Sequence, residues 1–287
     1  MTHLTPISTA RDPRVADYTA IRERDLTGRG GKFIVEGKVT LAILLARSRF
    51  AVDSLFLCET RLQPLAETLS QVPGDVPVYV APQSVMDGVA GFAVHRGVLA
   101  CARKGESLDL AAVVGSQTVS SPSAPSALRA PPPLAGEAST IVVLNQISNH
   151  DNVGAAFRNA AAFGASGVVL DAGSCDPLYR KAIRVSAGAS LWLPFHQGDT
   201  GEDHIAALQG DGYTVWAMTP RMDAAPLSEL AVPDRLAIML GAEGAGLPDH
   251  VISAATAVRI PMSAGFDSVN VATAGAIALA HVFNARA

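Results

Sequence analysis

Two stretches of this chain alternate short β-branched strands with helices, and a proline-rich stretch divides them. Such alternation predicts α/β architecture in both. In the first, strands are expected at 33–35, 52–57, 76–80 and 97–102, with helices at 39–46, 62–69 and 83–89 between them. Ahead of these, Asp12 and Pro13 read as an N-cap followed by proline at the first helical position. Val15, Tyr18 and Ile21 continue at helical spacing, so a helix is expected to end before Gly28. From Ser116 to Ala138 the chain carries Pro122, Pro125 and Pro131 to Pro133 among Ser, Ala and Gly, the composition of a linker. The second alternation places strands at 140–144, 167–170, 214–218, 236–240 and 257–260, and an apolar segment at 191–195. Its helices are expected at 153–163, 177–187, 203–208, near His250 and at 269–283. The expected division is a domain over 1–106, a linker over 107–138 and a domain over 139–287.

Composition removes several classes. With 49% apolar residues in 287, two cores can be filled, yet no apolar run approaches the ~18 residues of a membrane span. The N-terminus lacks a basic flank followed by an apolar run, so the cytoplasm is the expected compartment and no membrane partner is expected. Cys58, Cys101 and Cys175 form no Cys-x-x-Cys pair and the histidines no His-x-x-x-His pair, so no metal is expected. The net charge of −4 speaks against coating nucleic acid by bulk charge, but nine Lys/Arg against five Asp/Glu between Arg11 and Arg49 make that stretch locally basic. Within it Arg22, Arg24, Arg29 and Lys32 lie in or beside a glycine-rich turn, where cations can track an RNA backbone.

Three segments place polar side chains or bare backbone where strands end, which is where open α/β sheets bind ligands. In Asn152-Val-Gly-Ala-Ala-Phe-Arg158, an Asn152 cap and a back-leaning Arg158 would share one helix mouth, suited to a phosphate or a developing oxyanion. Gly241-Ala-Glu-Gly-Ala-Gly-Leu-Pro248 exposes backbone but lacks the Gly-Lys-Ser/Thr ending of a phosphate loop, and Glu243 would repel phosphate. A ligand with hydroxyls, amines and positive charge suits it, as S-adenosylmethionine does. Ile260-Pro-Met262 ends a strand. Asp267 or Ser268 is then expected to cap the last helix, with Asn270 in its first turn; Ala272, Ala274, Gly275, Ala276, Ala278 and Ala280 make that helix slender.

At these residues the chain resembles the SpoU/TrmH family of ribose 2′-O-methyltransferases in the SPOUT superfamily, from about Ile141 to Ala287 and with all three motifs in order. The resemblance implies a C-terminal trefoil-knotted α/β domain with a parallel sheet that binds S-adenosylmethionine. It further implies a small ribosomal-protein-like α/β domain before it, which Asp12-Pro-Arg14, Phe33-Ile-Val-Glu-Gly37 and His95-Arg-Gly-Val-Leu-Ala100 resemble more loosely. Carried over residue by residue, the catalytic set is Arg158, Asn152, Glu243, Ser268 and Asn270. The cofactor-binding set is Thr219, Leu240, Gly241, Gly244, Ile260, Met262, Val269 and Ala272. Two departures stand in the third motif: Ala264 where glycine is usual, with Gly265 one place later, and Val269 for leucine. A guanidinium stays protonated, so Arg158 is expected to anchor a phosphate and stabilise the forming alkoxide rather than act as a strict base. Asn152, Ser268 and Asn270 are expected to orient the nucleotide and Arg158. Glu243 is expected to fix the loop or Arg158, either within the chain or from a neighbouring subunit.

The expected partners are tRNA or rRNA and a second copy joined through the C-terminal domain, since the slender last helix permits close approach. Two other readings use the same residues. Positions 140–171 mimic the strand, loop, helix and strand of an NAD-dependent Rossmann oxidoreductase ending in Asp171, without the Gly-x-Gly-x-x-Gly fingerprint. A catalytically silent RNA-binding protein would keep the fold, against which the presence of Arg158, Glu243, Ser268 and Asn270 speaks.

Overall fold

Two sheets organise the chain, each within its own packed unit. The computed structural model describes residues 4–19, 30–115, 138–263, 265–266 and 268–287. The first unit gathers the described residues up to Glu106 together with Leu178–Trp192; the second gathers the others.

In the first unit, strands β1 (Leu4–Pro6), β2 (Lys32–Glu36), β3 (Val52–Cys58), β4 (Val78–Ala81) and β5 (Val98–Arg103) form a mixed sheet of order β1-β4-β3-β5-β2. Ser54 to Cys58 of β3 and Val98 to Ala102 of β5 are buried throughout, which is why these inner strands read as nearly continuous apolar runs. Pro6 is tolerated because β1 is an edge strand. Helices α1 (Lys38–Arg47), α2 (Ala66–Leu69) and α3 (Gln83–Ala90) connect the strands. The helix expected over 62–69 is shortened to α2 behind two 3-10 turns, because Pro64 has no N–H to give to a longer helix. Asp12 does cap the first turn, accepting from the Arg14 amide at 3.0 Å, but the turn is a 3-10 helix ending at Tyr18. Ile21 lies outside the described residues.

The second sheet is parallel throughout: β6 (Ser139–Leu144), β7 (Gly167–Leu170), β8 (Phe195–Gln197), β9 (Thr214–Met218), β10 (Ala225–Pro226), β11 (Arg235–Leu240) and β12 (Thr256–Arg259) run in the order β10-β12-β9-β11-β6-β7-β8. Its helices are α4 (Leu110–Val113), α5 (His150–Ala162), α6 (Arg180–Val185), α7 (Gly201–Gly210), α8 (Asp249–Ser253) and α9 (Val271–Arg286) in chain order, with α6 packed in the first unit. There Arg180 pairs with Glu36, and the Arg47 guanidinium lies 4.0 Å from the Trp192 ring centre. Part of the stretch read as linker is structured. Asp109 caps α4 by accepting from the Ala112 amide at 2.7 Å, and Val113 and Val114 join the core of Ile141, Val169 and Val215.

From β6 the chain steps outward through β7 to β8, then returns so that β11 lies on the other side of β6. Such a reversal opens a crevice at the carboxyl ends of the strands. The loops that follow β6, β9, β11 and β12 meet there.

Candidate active site

After β11 the chain turns on Gly241. A Cβ there would stand 2.5 Å from the Gly246 carbonyl carbon and from the Leu247 amide, so only glycine lets the loop fold back on itself. The Gly246 amide donates to the Ala242 carbonyl at 2.9 Å, closing the loop. Gly244 and Gly246 adopt φ of +81° and +69°, the left-handed region that glycine enters without strain. A Cβ on either would meet nothing within 4 Å, so their backbone borders open space.

The last helix starts later than expected. Asn270, not Asp267 or Ser268, is the N-cap of α9: its Oδ1 accepts from the amides of Ala272 at 2.9 Å and Thr273 at 3.3 Å. Asp267 and Ala264 lie outside the described residues. The slender face of α9 is used inside the chain, packing along α5 and β11, with the site of a Gly275 Cβ only 2.8 Å from Leu240 Cδ1. The other helix mouth is also shifted. Asn149 caps α5 by accepting from the Asp151 amide at 2.9 Å, which leaves Asn152 buried in the first turn with its side chain free to reach outward.

These shifts bring the three segments together. Asn152 Nδ2 donates to Glu243 Oε1 at 2.5 Å, while Asn270 Nδ2 lies 3.0 Å from Asn152 Oδ1 and 3.2 Å from Glu243 Oε1. One carboxylate oxygen thus gathers both amides, and Glu243 does so within its own chain. Arg158 is not part of this cluster. Six residues beyond Asn152, it faces a different side of α5, is exposed, and has no hydrogen-bond or ion-pair partner among the described residues. Asn159 occupies the face that Arg158 was expected to share, and donates to the Ala272 carbonyl at 2.9 Å.

Beside the cluster opens a cavity of about 370 Å³, within the range of small-molecule sites. Thr219, Leu240, Gly241, Gly244, Ile260, Met262 and Val269 line it, as do Glu243, Ser268 and Asn270. Ala272 does not; it is buried against α5, and Val271 and Ala274 face the cavity instead. Met218, Pro220, Ala242 and Gly246 complete the wall; Ala242 and Gly246 belong to the glycine-rich segment, whereas Met218 and Pro220 stand in none of the three segments. Among the described residues Glu243 is the one ionisable group of the lining, which there presents negative charge and no Lys, Arg or His for a phosphate. This fits a cationic, phosphate-free ligand such as S-adenosylmethionine and does not fit the pyrophosphate of a dinucleotide. Asp171, the acid of the Rossmann reading, is buried and already accepts from the Gln146 amide, Gln146 Nε2 and the Ser174 hydroxyl at 3.0, 2.8 and 2.6 Å.

Of the cations expected to meet RNA, Arg22, Arg24 and Arg29 lie outside the described residues. Lys32 is engaged: its ammonium is 2.6 Å from Asp17 and 2.8 Å from Asp53, and these hydrogen bonds, that of Asp17 foremost, raise its pKa further above the ordinary lysine value. A groove of about 320 Å³ elsewhere in the first unit gathers Lys38, Arg61, His95 and Arg96, with no acidic residue in its lining among the described residues. Among those residues Lys38 and Arg61 donate only to carbonyls, of Pro64 and His95. These residues are distant in sequence, so no linear pattern marked them as a group.

The SpoU rRNA Methylase family profile matches residues 139–280. An uncharacterized tRNA/rRNA methyltransferase of Mycobacterium bovis is 36% identical over 93% of this chain and 87% of its own length. The 23S rRNA (guanosine(2553)-2′-O)-methyltransferase of Bacillus subtilis is 26% identical over 50% of the chain and 57% of its own. Among solved structures, the AdoMet-bound rRNA methyltransferase of Sinorhizobium meliloti superposes with a TM-score of 0.77 at 20% identity, covering 98% of both chains.

Proposed function

This chain belongs to the SpoU rRNA methylase family, and from that premise we propose that it methylates a ribose 2′-hydroxyl of tRNA or rRNA with S-adenosylmethionine bound in the cavity beside Glu243. The observation that carries this reading is the Asn152–Glu243–Asn270 cluster at the lip of a cavity whose described lining has no cationic side chain. Bound there, the donor supplies a methyl group already activated by its sulfonium, so the protein's task is mainly to place the hydroxyl in line and ease loss of its proton. Glu243 holds both amides in position and sets negative charge beside the sulfonium. Asn152 and Asn270, fixed by that carboxylate, orient the nucleotide, and Ser268 on the cavity wall offers it a hydroxyl.

Arg158 projects to solvent outside its own chain's cavity lining. In our reading it binds the phosphate next to the target ribose and stabilises the alkoxide, at a site completed by a second copy of the chain. The homodimer forms through the C-terminal domain, where Ile277 and Phe283 leave apolar surface exposed on α9. The groove of Lys38, Arg61, His95 and Arg96, with no acid among its described lining residues, holds further RNA phosphates. The reading includes the trefoil knot and ribosomal-protein-like first domain that the family resemblance implies, and a cytoplasmic setting. No helix among the described residues is long and apolar enough to cross a membrane.

Mapping 2′-O-methylation in tRNA and rRNA from cells with and without the protein tests the reading. One ribose methyl should vanish and return when purified protein and S-adenosylmethionine are added to the unmodified RNA. Transfer to a base, or binding of NAD in place of the methyl donor by calorimetry, overturns it.

A further inference from the structure

We propose that His196, Asp199 and His204 form a binding site for a divalent transition-metal ion of the zinc type, joining the end of β8 to α7 in the second unit. Their candidate ligand atoms lie within 4.8 Å of one another. His204 lies one turn into α7. It is buried, and neither of its ring nitrogens has a hydrogen-bond partner. Buried polar groups without partners are rare, and each calls for a physical reason.

His196 supplies the second observation. Its Nδ1 is 2.8 Å from the Leu108 carbonyl oxygen, which can only accept, so Nδ1 carries the proton. In the neutral ring Nε2 then offers a lone pair, and it faces Asp199 Oδ2 at 3.2 Å. Two acceptors opposed at that distance require a positive charge between them, either a second proton or a metal ion. A carbonyl fixing the tautomer of a ligating histidine is a recurrent outer-shell arrangement of metal sites. The backbone is shaped to the same end. Asp199 sits at φ +54°, unusual for a residue with a side chain, while its carbonyl accepts from the Ala172 amide at 3.1 Å.

Two imidazoles and one carboxylate suit zinc and related ions better than magnesium or calcium, which prefer oxygen alone. Exposed Asp199 leaves a fourth position open to solvent. Because β8 is the edge strand remote from β9, β11 and β12, the ion's role is to hold that edge to α7 and not to take part in methyl transfer. The trio follows the spacing His-x2-Asp-x4-His across a strand end, a loop and a helix, which a search for histidine pairs on one helix passes over.

The test uses the full chain, stripped with a chelator and titrated with Zn²⁺ by calorimetry, with Co²⁺ as a spectroscopic probe. One equivalent should bind, raise the melting temperature and give Co²⁺ the intense visible bands of four-coordination. His204→Ala opens a cavity in the core, so Asp199→Asn and His196→Gln carry the test. Asparagine tolerates the left-handed backbone, and each change should weaken Zn²⁺ by about tenfold or more. Absence of stoichiometric binding by the wild type overturns the proposal, as does wild-type affinity in both variants.

Discussion

At the rim of the cavity beside Glu243, polar side chains hold one another. In the groove of the first unit, Lys38 and Arg61 have only carbonyls as partners among the described residues. Asn152, Glu243 and Asn270 form a closed set of hydrogen bonds, so their geometry is set before any ligand arrives. Among the described residues no acid lines the groove of Lys38, Arg61, His95 and Arg96, so the charge of Lys38, Arg61 and Arg96 is left for something outside the protein. The difference separates two tasks of an RNA methyltransferase. Preorganised dipoles fix the reacting groups, and unneutralised charge collects the polyanion. Arg158 is chemically of the second kind and sits on a helix of the first, which makes it the sharpest place to test the division.

Arg158→Ala should give the largest effect. Loss of a group that stabilises developing negative charge lowers turnover by on the order of 100-fold or more. Since Arg158 is exposed and without a partner among the described residues, melting temperature and S-adenosylmethionine affinity should stay at wild-type values. Single-turnover methyl transfer, calorimetry and a thermal melt on one preparation check this. Retained turnover would move Arg158 out of the reaction, and unfolding would assign it to the scaffold.

Gly241→Ala tests the cavity side. The added methyl meets backbone of Gly246 and Leu247 and not a flexible side chain, so the loop must move. Donor affinity should fall roughly tenfold or more, about 1.4 kcal/mol. Gly210→Ala, at the end of α7 with nothing within 4 Å of the new methyl, is the matched control and should bind the donor normally. Equal affinities in the two variants would break the link between loop closure and binding.

The closed cluster itself predicts coupling. Asn270→Ala removes the α9 cap and two rim hydrogen bonds, and loss of such a cap costs about 1 kcal/mol of stability. Asn152→Ala and Glu243→Gln disturb the same set, so double-mutant cycles among the three should show interaction energies of about 0.5–3 kcal/mol in methyl transfer. Additivity would mean that each residue acts independently.

The sequence displayed this rim better than it displayed the phase of its helices. Glycines and amides at strand ends marked all three segments, because close backbone approach and capping each require particular residue types. Which amide caps was degenerate. Asn149 and Asn152 both precede an apolar stripe, and Asp267, Ser268 and Asn270 are all competent caps, so local chemistry left the choice to packing. Moving the start of α9 rotates its faces by about 100° per residue. That explains why Val271 and Ala274 face the cavity while Ala272 turns to α5. The same phase argument separates Arg158 from Asn152. Strand cores such as β3, β6 and β11 were legible because both faces are buried, whereas β8 and β10, two or three residues long, carry too little pattern to be seen.

The smallest effects should come from the first unit, where two sets of cations look alike in sequence and differ in their partners. Lys32 is held by Asp17 and Asp53, and Asp53 is in turn paired with Arg103, so its charge is neutralised within the fold. Arg61 and Arg96 lie in the acid-free groove. Arg61→Ala combined with Arg96→Ala should weaken RNA binding several-fold and flatten its salt dependence, since each lost phosphate contact lowers the slope by about 0.7 to 0.9. Cofactor affinity should not change. Lys32→Ala should leave both the slope and the affinity in place while lowering the melting temperature modestly, because two carboxylates lose a shared partner. Filter binding across a salt series, run on both variants, decides between them. If Lys32→Ala flattens the slope and the arginine pair does not, the RNA path follows the glycine-rich turn, and the groove is only a solvated cationic surface.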